Sequence, residues 1–411
     1  MSGAALAAEL AQAVGAEHVV AQPGAGPTWR VTPGSAAEVA EVVRRAAGAQ
    51  AAIHPVGAGA RRTGDAESKR PRVLVSTRRL DQVLQLDEVS LLVHVQAGLT
   101  GLELERILVA RGLTLGDYPP VVLTSTIGGI LAVRTPGKSS ARHGFLEDAV
   151  AGVSAVLADG RTVHTRVAPR RSTGPDLARA LCGSEGTIGL LTSAVLRVHT
   201  KPEARLVAAY VLPSVDAAIN AIYLALREEA APAGVHIYDH AEATLHFGVT
   251  LPAGSALLVA ATAGPTDLAA CDRDLLTSAV IAESGRIGDI ALAELWWRRL
   301  HAGEPTTGAA TILQVMATPS KLRRVYRAAV EVMATRGGSA RAQVSRFDAD
   351  GAVVFVTLEP ADAEARAAVE RAVEAAGGYL LGARALKLDA YLRALRAAID
   401  PHQVMNPGIL T

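Results

Sequence analysis

The sequence predicts an α+β fold arranged in two domains. At 411 residues the chain is too long for one ordinary compact core, and half of it is apolar, enough for two. Up to about residue 205, short strand and helix patterns are mixed. Beyond that point strand–helix–strand blocks follow one another, which predicts a separate sheet covered by helices on one face.

The elements follow in order. Ser35-Ala36-Ala37-Glu38 reads as a capping box, with Val39, Val42, Val43 and Ala46 at helical spacing behind it. Ala52 to Val56 is a short strand that runs into the glycine-rich stretch Gly57 to Gly64. Further strands are expected near 73–76, 82–86 and 91–96. A second capping box at Thr100 to Glu103 starts a helix that buries Leu104 and Leu108. Asp159-Gly160 predicts a hairpin between 153–158 and 161–165. Gly174-Pro175 then opens a helix through Leu181, with the proline at its first position. A strand over 190–198 ends at Lys201-Pro202. In the second domain helices are expected around 215–229, 266–284, 319–336 and 361–376, and strands near 206–212, 256–262, 309–316 and 352–358. A last helix ends at Asp400-Pro401.

Charge narrows the function classes. The net charge is +1 and acids and bases are interspersed, so neither a nucleic-acid partner nor a polybasic membrane patch is expected. Cys182 and Cys271 match no metal or disulfide spacing and read as buried, reduced thiols; no metal site is predicted. The N-terminus lacks the basic start of a signal peptide, and no apolar run is long enough to span a bilayer, so a cytoplasmic protein is expected.

A strand ending in glycines is generic anion-binding equipment, because glycine lets main-chain N–H groups approach an anion. Two familiar nucleotide motifs fail here. The dinucleotide fingerprint needs a third glycine at position 62, which is arginine. The P-loop spacing of Gly59 and Gly64 is followed by Asp65-Ala66 instead of Lys-Ser/Thr, and Gly137-Lys138-Ser139 lacks its upstream glycine. Four later segments rich in small residues change the picture: Tyr118-Pro119-Pro120, Ser125-Thr126-Ile127-Gly128-Gly129, Arg142-His143-Gly144, and Gly183 to Gly189. Together they predict a long ligand lying against exposed backbone.

In this order the segments resemble the FAD-linked oxidase family, which has the vanillyl-alcohol-oxidase or PCMH-type FAD-binding fold. Arg171 to Asp176 running into GSEGTIG, and Pro232 to Asp239 followed by Phe247-Gly248, are closest to its alkylglycerone-phosphate synthase branch. Asp400-Pro401 and Asn406-Pro407-Gly408 match the family's ending, and the compact length is similar to the second flavin subunit of glycolate oxidase. The resemblance implies a PCMH-type FAD-binding domain of two α+β subdomains over 1–205. A cap or substrate domain, with an antiparallel sheet covered by helices, would occupy 206–380. A segment over 381–411 would return to the first domain.

It also implies positions for the cofactor. Pro55, Val56, Gly57, Ala58, Gly59, Ala60 and Arg61 resemble the loop that cradles the pyrophosphate. Pro120, Ser125, Thr126, Gly128 and Gly129, with Val133, Arg134, Thr135 and Pro136, resemble the walls beside the flavin ring. Glu185, Gly186, Thr187, Ile188, Gly189 and Leu191 resemble the turn that receives the adenine end, and Asn406 joins the set from the tail. No His, Cys or Tyr is identified at a family attachment position, so noncovalent FAD is expected.

The catalytic positions are altered. The His-x-Gly-Asp-Gly-Asn stretch of the lactate-oxidising members is missing. Gly377 to Gly382 occupies the histidine run of the synthase branch, and that branch's tyrosine falls near Ala361, which argues against alkylglycerone-phosphate synthase chemistry. Three candidates remain. Arg341 is either a substrate arginine or a solvated strand-edge arginine. Tyr379 is the phenol nearest the vacated histidine run. Trp296, in Trp296-Trp297-Arg298-Arg299, either covers the flavin or packs in the core. His236 and His240 would share a helix face suited to a metal, but the resemblance places them on a strand and turn. His143 is expected to bond backbone near the cofactor, while Lys138, Arg61 and Arg62 either neutralise phosphate or are solvated. The expected function is an FAD-dependent dehydrogenase or oxidase of a small hydroxylated substrate, including 2-hydroxy acids. A flavin-binding subunit serving a partner subunit or electron acceptor is the alternative.

Overall fold

A computed structural model of the chain describes residues 3–59, 69–116, 118, 120–134, 140–167, 174–302, 311–348, 350–381 and 390–409. The α+β expectation holds. A four-stranded sheet runs in the order Val19–Gln22, Thr28–Val31, Arg72–Ser76, Ala52–Val56, and its last two pairings are parallel. A five-stranded antiparallel sheet follows in the order Val83–Asp87, Leu92–Gln96, Gly189–Arg197, Val150–Leu157, Thr162–His164. Of the two expected capping boxes one forms in full: Thr100 exchanges both bonds with Glu103. At the other helix Ser35 Oγ accepts from Glu38 N, but the Glu38 carboxylate accepts from Gly34 N, so the return bond reaches one residue further back.

The remaining part is one eight-stranded antiparallel sheet. Its order is Arg286–Ile287, Ala204–Leu212, Ala256–Gly264, Gly234–Asp239, Ser339–Ser345, Ala352–Glu359, Thr311–Ala317, Tyr379–Leu381. Helices Val215–Arg227, Thr266–Ala282, Pro319–Thr335 and Ala363–Ala375 cover one face and form its main core. A single covered face was expected, and that needs correction. Strand Ala256–Gly264 is buried at every position, so both faces require cover. Helices His240–Phe247 and Ile290–Ala302 supply it, packing Ala243, Ala293 and Trp296 on Leu257, Val259 and Ala209.

Three other expectations change. Pro175 precedes the helix instead of starting it, because Asp176 caps Leu177–Leu181 by accepting from Arg179 N. Cys182 is buried as expected, but Cys271 is exposed. On Thr266–Ala282 the buried positions Ala269, Asp272, Leu276 and Ala279 recur at helical spacing, and residue 271 falls between them on the outer side. His236 lies on strand Gly234–Asp239, so it shares no helix face with His240, the first residue of the next helix. The helix Gly3–Val14, with Leu6, Leu10 and Val14 buried, was not anticipated.

A candidate flavin cleft and active site

Between the two smaller sheets lies a cleft of about 1360 Å³ of non-protein space, counted to its open mouth. Strand Ala52–Val56 delivers the first wall. Its chain turns at Gly57, where a Cβ would sit 2.3 Å from Thr126 Oγ1, so only glycine allows this approach. Among the described residues no carbonyl accepts from the N–H groups of Ala58 and Gly59. Thr77, at the end of the neighbouring strand, also lines the cleft. Its buried hydroxyl has no hydrogen-bond partner among the described residues. A buried polar group without a partner costs about 1–3 kcal/mol, and a polar ligand in the cleft would recover it.

The opposite wall is built on helix Ile127–Ala132. Thr126 caps it by accepting from Gly129 N at 3.2 Å, and Gly128 N donates to Ala97 O at 2.8 Å. The turn after Leu181 is stapled to this helix through Gly183 N to Leu131 O and Glu185 N to Ala132 O, both 3.0 Å. Inside the turn Ser184 and Thr187 bond its own carbonyls. Gly186 has φ +76 and approaches Pro55 so closely that a Cβ would lie 2.7 Å from the proline ring. The tail closes the end. Asp400 accepts from Val404 N and Met405 N, and Asn406 N donates to Ile53 O at 2.8 Å. The Asn406 side chain donates to Glu185 O at 2.5 Å and meets His54 Nδ1 at 2.8 Å.

Of the expected cofactor residues, Pro55 to Gly59, Ser125, Thr126, Gly128, Gly129, Val133, Glu185, Gly186, Gly189, Leu191 and Asn406 line the cleft. Thr187 and Ile188 lie in the same turn and strand entry without lining it, and Pro120 opens the short helix Pro120–Leu123. Arg134 turns away: its guanidinium donates to Cys182 O at 3.1 Å and Arg179 O at 3.0 Å. Ala60, Arg61, Arg62, Thr135, Pro136, Lys138 and Arg171 lie outside the described residues. Val122 lies within the expected wall 120–126, whereas Thr77, Ile130, Ala132, Leu181, Ser184 and Ile409 were missed. None is a glycine, and Ile130 and Leu181 read as ordinary core. Behind the wall, burial and the Glu147 carboxylate push Cys182 up to about 12, so it stays a thiol.

The three catalytic candidates share one face of the eight-stranded sheet, and none lines the cleft. Arg341 Nε lies 3.1 Å from Glu242 Oε2, and its Nη1 bonds Glu359. Trp296 is 2% exposed and meets the His236 ring edge-on at 5.3 Å; its indole N–H has no partner among the described residues. Tyr379 is 55% exposed on the outer strand. His236, on the same face, is held neutral by burial and by Arg346 and His246, its pKa lowered to about 3. His143 stacks on His199 away from the cleft.

A cleft between two α+β layers, bordered by glycine-rich turns and apolar side chains and without Lys or Arg among its described lining, suits a flat ligand with an anionic centre. That is a flavoprotein's site. Comparison with known proteins gives the family. The profile described as "FAD binding domain" matches residues 27–166, and "FAD linked oxidases, C-terminal domain" matches 201–389. The chain belongs to the FAD-linked oxidase family, and its cofactor is FAD. An alkyldihydroxyacetonephosphate synthase of Dictyostelium discoideum is 32% identical over 54% of this chain and 36% of its own length. The glycolate oxidase subunit GlcD of Bacillus subtilis is 24% identical over 92% of this chain and 87% of its own. The chain thus spans about a third of the synthases it matches. Among solved structures, an alkyldihydroxyacetonephosphate synthase superposes with TM-score 0.74 at 22% identity, covering 93% of this chain and 76% of that one. P-cresol methylhydroxylase superposes with TM-score 0.74 at 16% identity, covering 99% and 96%. The fold is therefore of the PCMH type. No helix among the described residues is long and apolar enough to cross a membrane.

Proposed function

We propose that this enzyme oxidises a small hydroxylated molecule, a 2-hydroxy acid among the first to test, as a dehydrogenase or oxidase with noncovalent FAD. Residues 1–205 would bind the flavin, 206–380 would form the cap, and 381–411 would return to the flavin half. The observation that carries the reading is the cleft itself. Glycine-bordered chain from Pro55 to Gly59, with Glu185, Gly186 and Gly189, lines it, and no His, Cys or Tyr among the described lining offers a covalent link. Ala58, Gly59 and Thr77 would hold the anionic centre, and Ser125 to Val133 would flank the ring.

When bound, FAD supplies the two-electron acceptor. The chain's own residues position and shield the substrate. Helix Ile290–Ala302 packs on Pro120–Leu123, whose Val122 lines the cleft, so the cap face bearing Trp296 and Tyr238 adjoins the cleft wall. The substrate would lie between that face and the ring.

A second reading is favoured by one observation: Arg341 is engaged by two carboxylates. With that guanidinium neutralised, the chain would serve as a flavin-binding subunit whose partner supplies the substrate site. Anaerobic bleaching of the flavin by a panel of hydroxy acids and alcohols tests the first reading. Bleaching only when a partner subunit is added supports the second. Acid precipitation should release free yellow FAD; colour retained on the precipitate rules out noncovalent binding.

A further inference from the structure

A separate cavity lies on the seam between the flavin half and the cap, enclosing about 820 Å³ counted to its mouth. The strand pair Leu113–Thr114 and His199–Thr200 forms one side, and the end of the interior cap strand Ala256–Gly264, at Ala263 and Gly264, forms the other. Four basic side chains line it: Arg142, His143, His199 and Lys201. The two imidazoles stack with centroids 3.8 Å apart and planes 21° from parallel. Gly116 leaves room for them: a Cβ there would lie 3.3 Å from His143 Cδ2 and 3.7 Å from His199 Cδ2. Arg142 crosses the seam, donating to Ala263 O and lying 3.8 Å from Asp272. Glu203 is the one carboxylate in the described lining, and it accepts from Thr266 N at 3.4 Å.

Stacked imidazoles repel when both are protonated. Burial, Arg197 and Arg142 keep His199 below its ordinary value. The cavity therefore concentrates cationic capacity that its own neighbours hold in check, and a bound anion would release it. We propose that this seam cavity binds a small tetrahedral oxyanion, inorganic phosphate or the phosphate group of a small molecule, between the stacked histidines, Arg142 and Lys201. The site lies outside the flavin cleft. Because its lining comes from both halves, an occupant would brace the cap against the flavin half. Around the pair, Arg142, Arg197 and Lys201 add positive charge. Glu203, Asp272 and Glu105 (through its bond to Thr114) oppose it. An anion favours the imidazolium form, so binding strengthens as pH falls through the histidine range.

Sulfate is the probe, since its charge is constant between pH 6 and pH 8. The full chain, loaded with FAD, is titrated at both pH values while the histidine Cε1–H resonances are followed. Saturable binding about tenfold tighter at pH 6 is expected, moving two resonances assigned with His143→Gln and His199→Gln. Lys201→Ala, at an exposed side chain, should weaken binding about threefold to tenfold and leave the flavin spectrum unchanged. Competition by inorganic phosphate alone supports the free ion; stronger competition by glycerol phosphate supports a phosphate ester. Binding indifferent to pH and to all three substitutions overturns the proposal, as does the absence of saturable binding. If the chain holds no FAD, the titration still separates the two ideas, because sulfate held in the glycine-bordered cleft would be insensitive to Lys201→Ala.

Discussion

Arg341 and His236 sit on the same sheet face, and each shows how a buried polar side chain is kept in place. Arg341 is shared between Glu242 and Glu359, while Glu242 also takes His246 Nε2 at 2.9 Å. Truncating a member of such a network leaves a buried charge behind. Arg341→Met should lower the stability of the cap by about 2–4 kcal/mol, read from urea unfolding. A loss below about 0.5 kcal/mol would show the network to be ornamental. His236 is neutral in the folded chain, with Gln343 Nε2 2.9 Å and Tyr238 Oη 3.1 Å from its Nδ1. Unfolding frees it to take a proton at its ordinary 6.5, whereas folded it stays neutral down to about 3. Stability should therefore fall as pH drops below about 6.5, by about 2–3 kcal/mol between pH 7 and pH 4.5. Asp239 offsets part of this. Burial raises it to about 6, so from 3.8 to about 6 its contribution falls as pH rises. His236→Gln should lose less stability on acidification than the parent; parallel losses would sink the assignment.

At the scale of elements, the tail after helix Ala390–Ile399 matters more than its length suggests. Asn406 joins strand Ala52–Val56 to the turn at Glu185, the two segments that border the cleft from opposite sides. Asn406→Ala removes both side-chain bonds, each worth about 1 kcal/mol. FAD affinity should drop about tenfold, measured by recovery of free flavin fluorescence on dilution; unchanged affinity would place the tail outside the binding machinery. The elements most legible in the sequence were those fixed by short-range chemistry. The caps at Ser35 and Thr100, the Asp159-Gly160 hairpin and the glycine-bordered loops each depend on neighbours within a few residues. Gly3–Val14 was legible too, since Leu6, Leu10 and Val14 recur every four residues, but its alanine-rich surround obscured them. Thr77, Ala132 and Ile409 were not legible. They reach the cleft only because distant segments fold together, and nothing local distinguishes them. The second helical layer on the large sheet was hidden for the same reason, because burial on both faces of Ala256–Gly264 is a property of the assembled sheet.

Across the whole molecule, the cores divide between the halves. Two clusters stabilise the flavin half, and two others stabilise the eight-stranded sheet. Calorimetry should therefore resolve two unfolding transitions, with added FAD raising only the one that belongs to the flavin half. A single transition moving as a unit would mean that the seam couples the halves more tightly than their separate cores suggest. Gly57→Val tests the division from the other side. Its side chain would collide with Thr126 across the cleft, so a colourless protein is expected whose cap transition is unmoved.

The outward position of Cys271 has a practical consequence. It stands on the cap, while the chain's only other thiol, Cys182, is buried behind the cleft wall. A maleimide dye would therefore mark the cap at one point without further engineering. Flavin is itself fluorescent, so dye and cofactor form a ready donor–acceptor pair across the seam. Energy transfer between them would report, in real time, whether the cap swings as substrate enters or as an anion lodges between the halves.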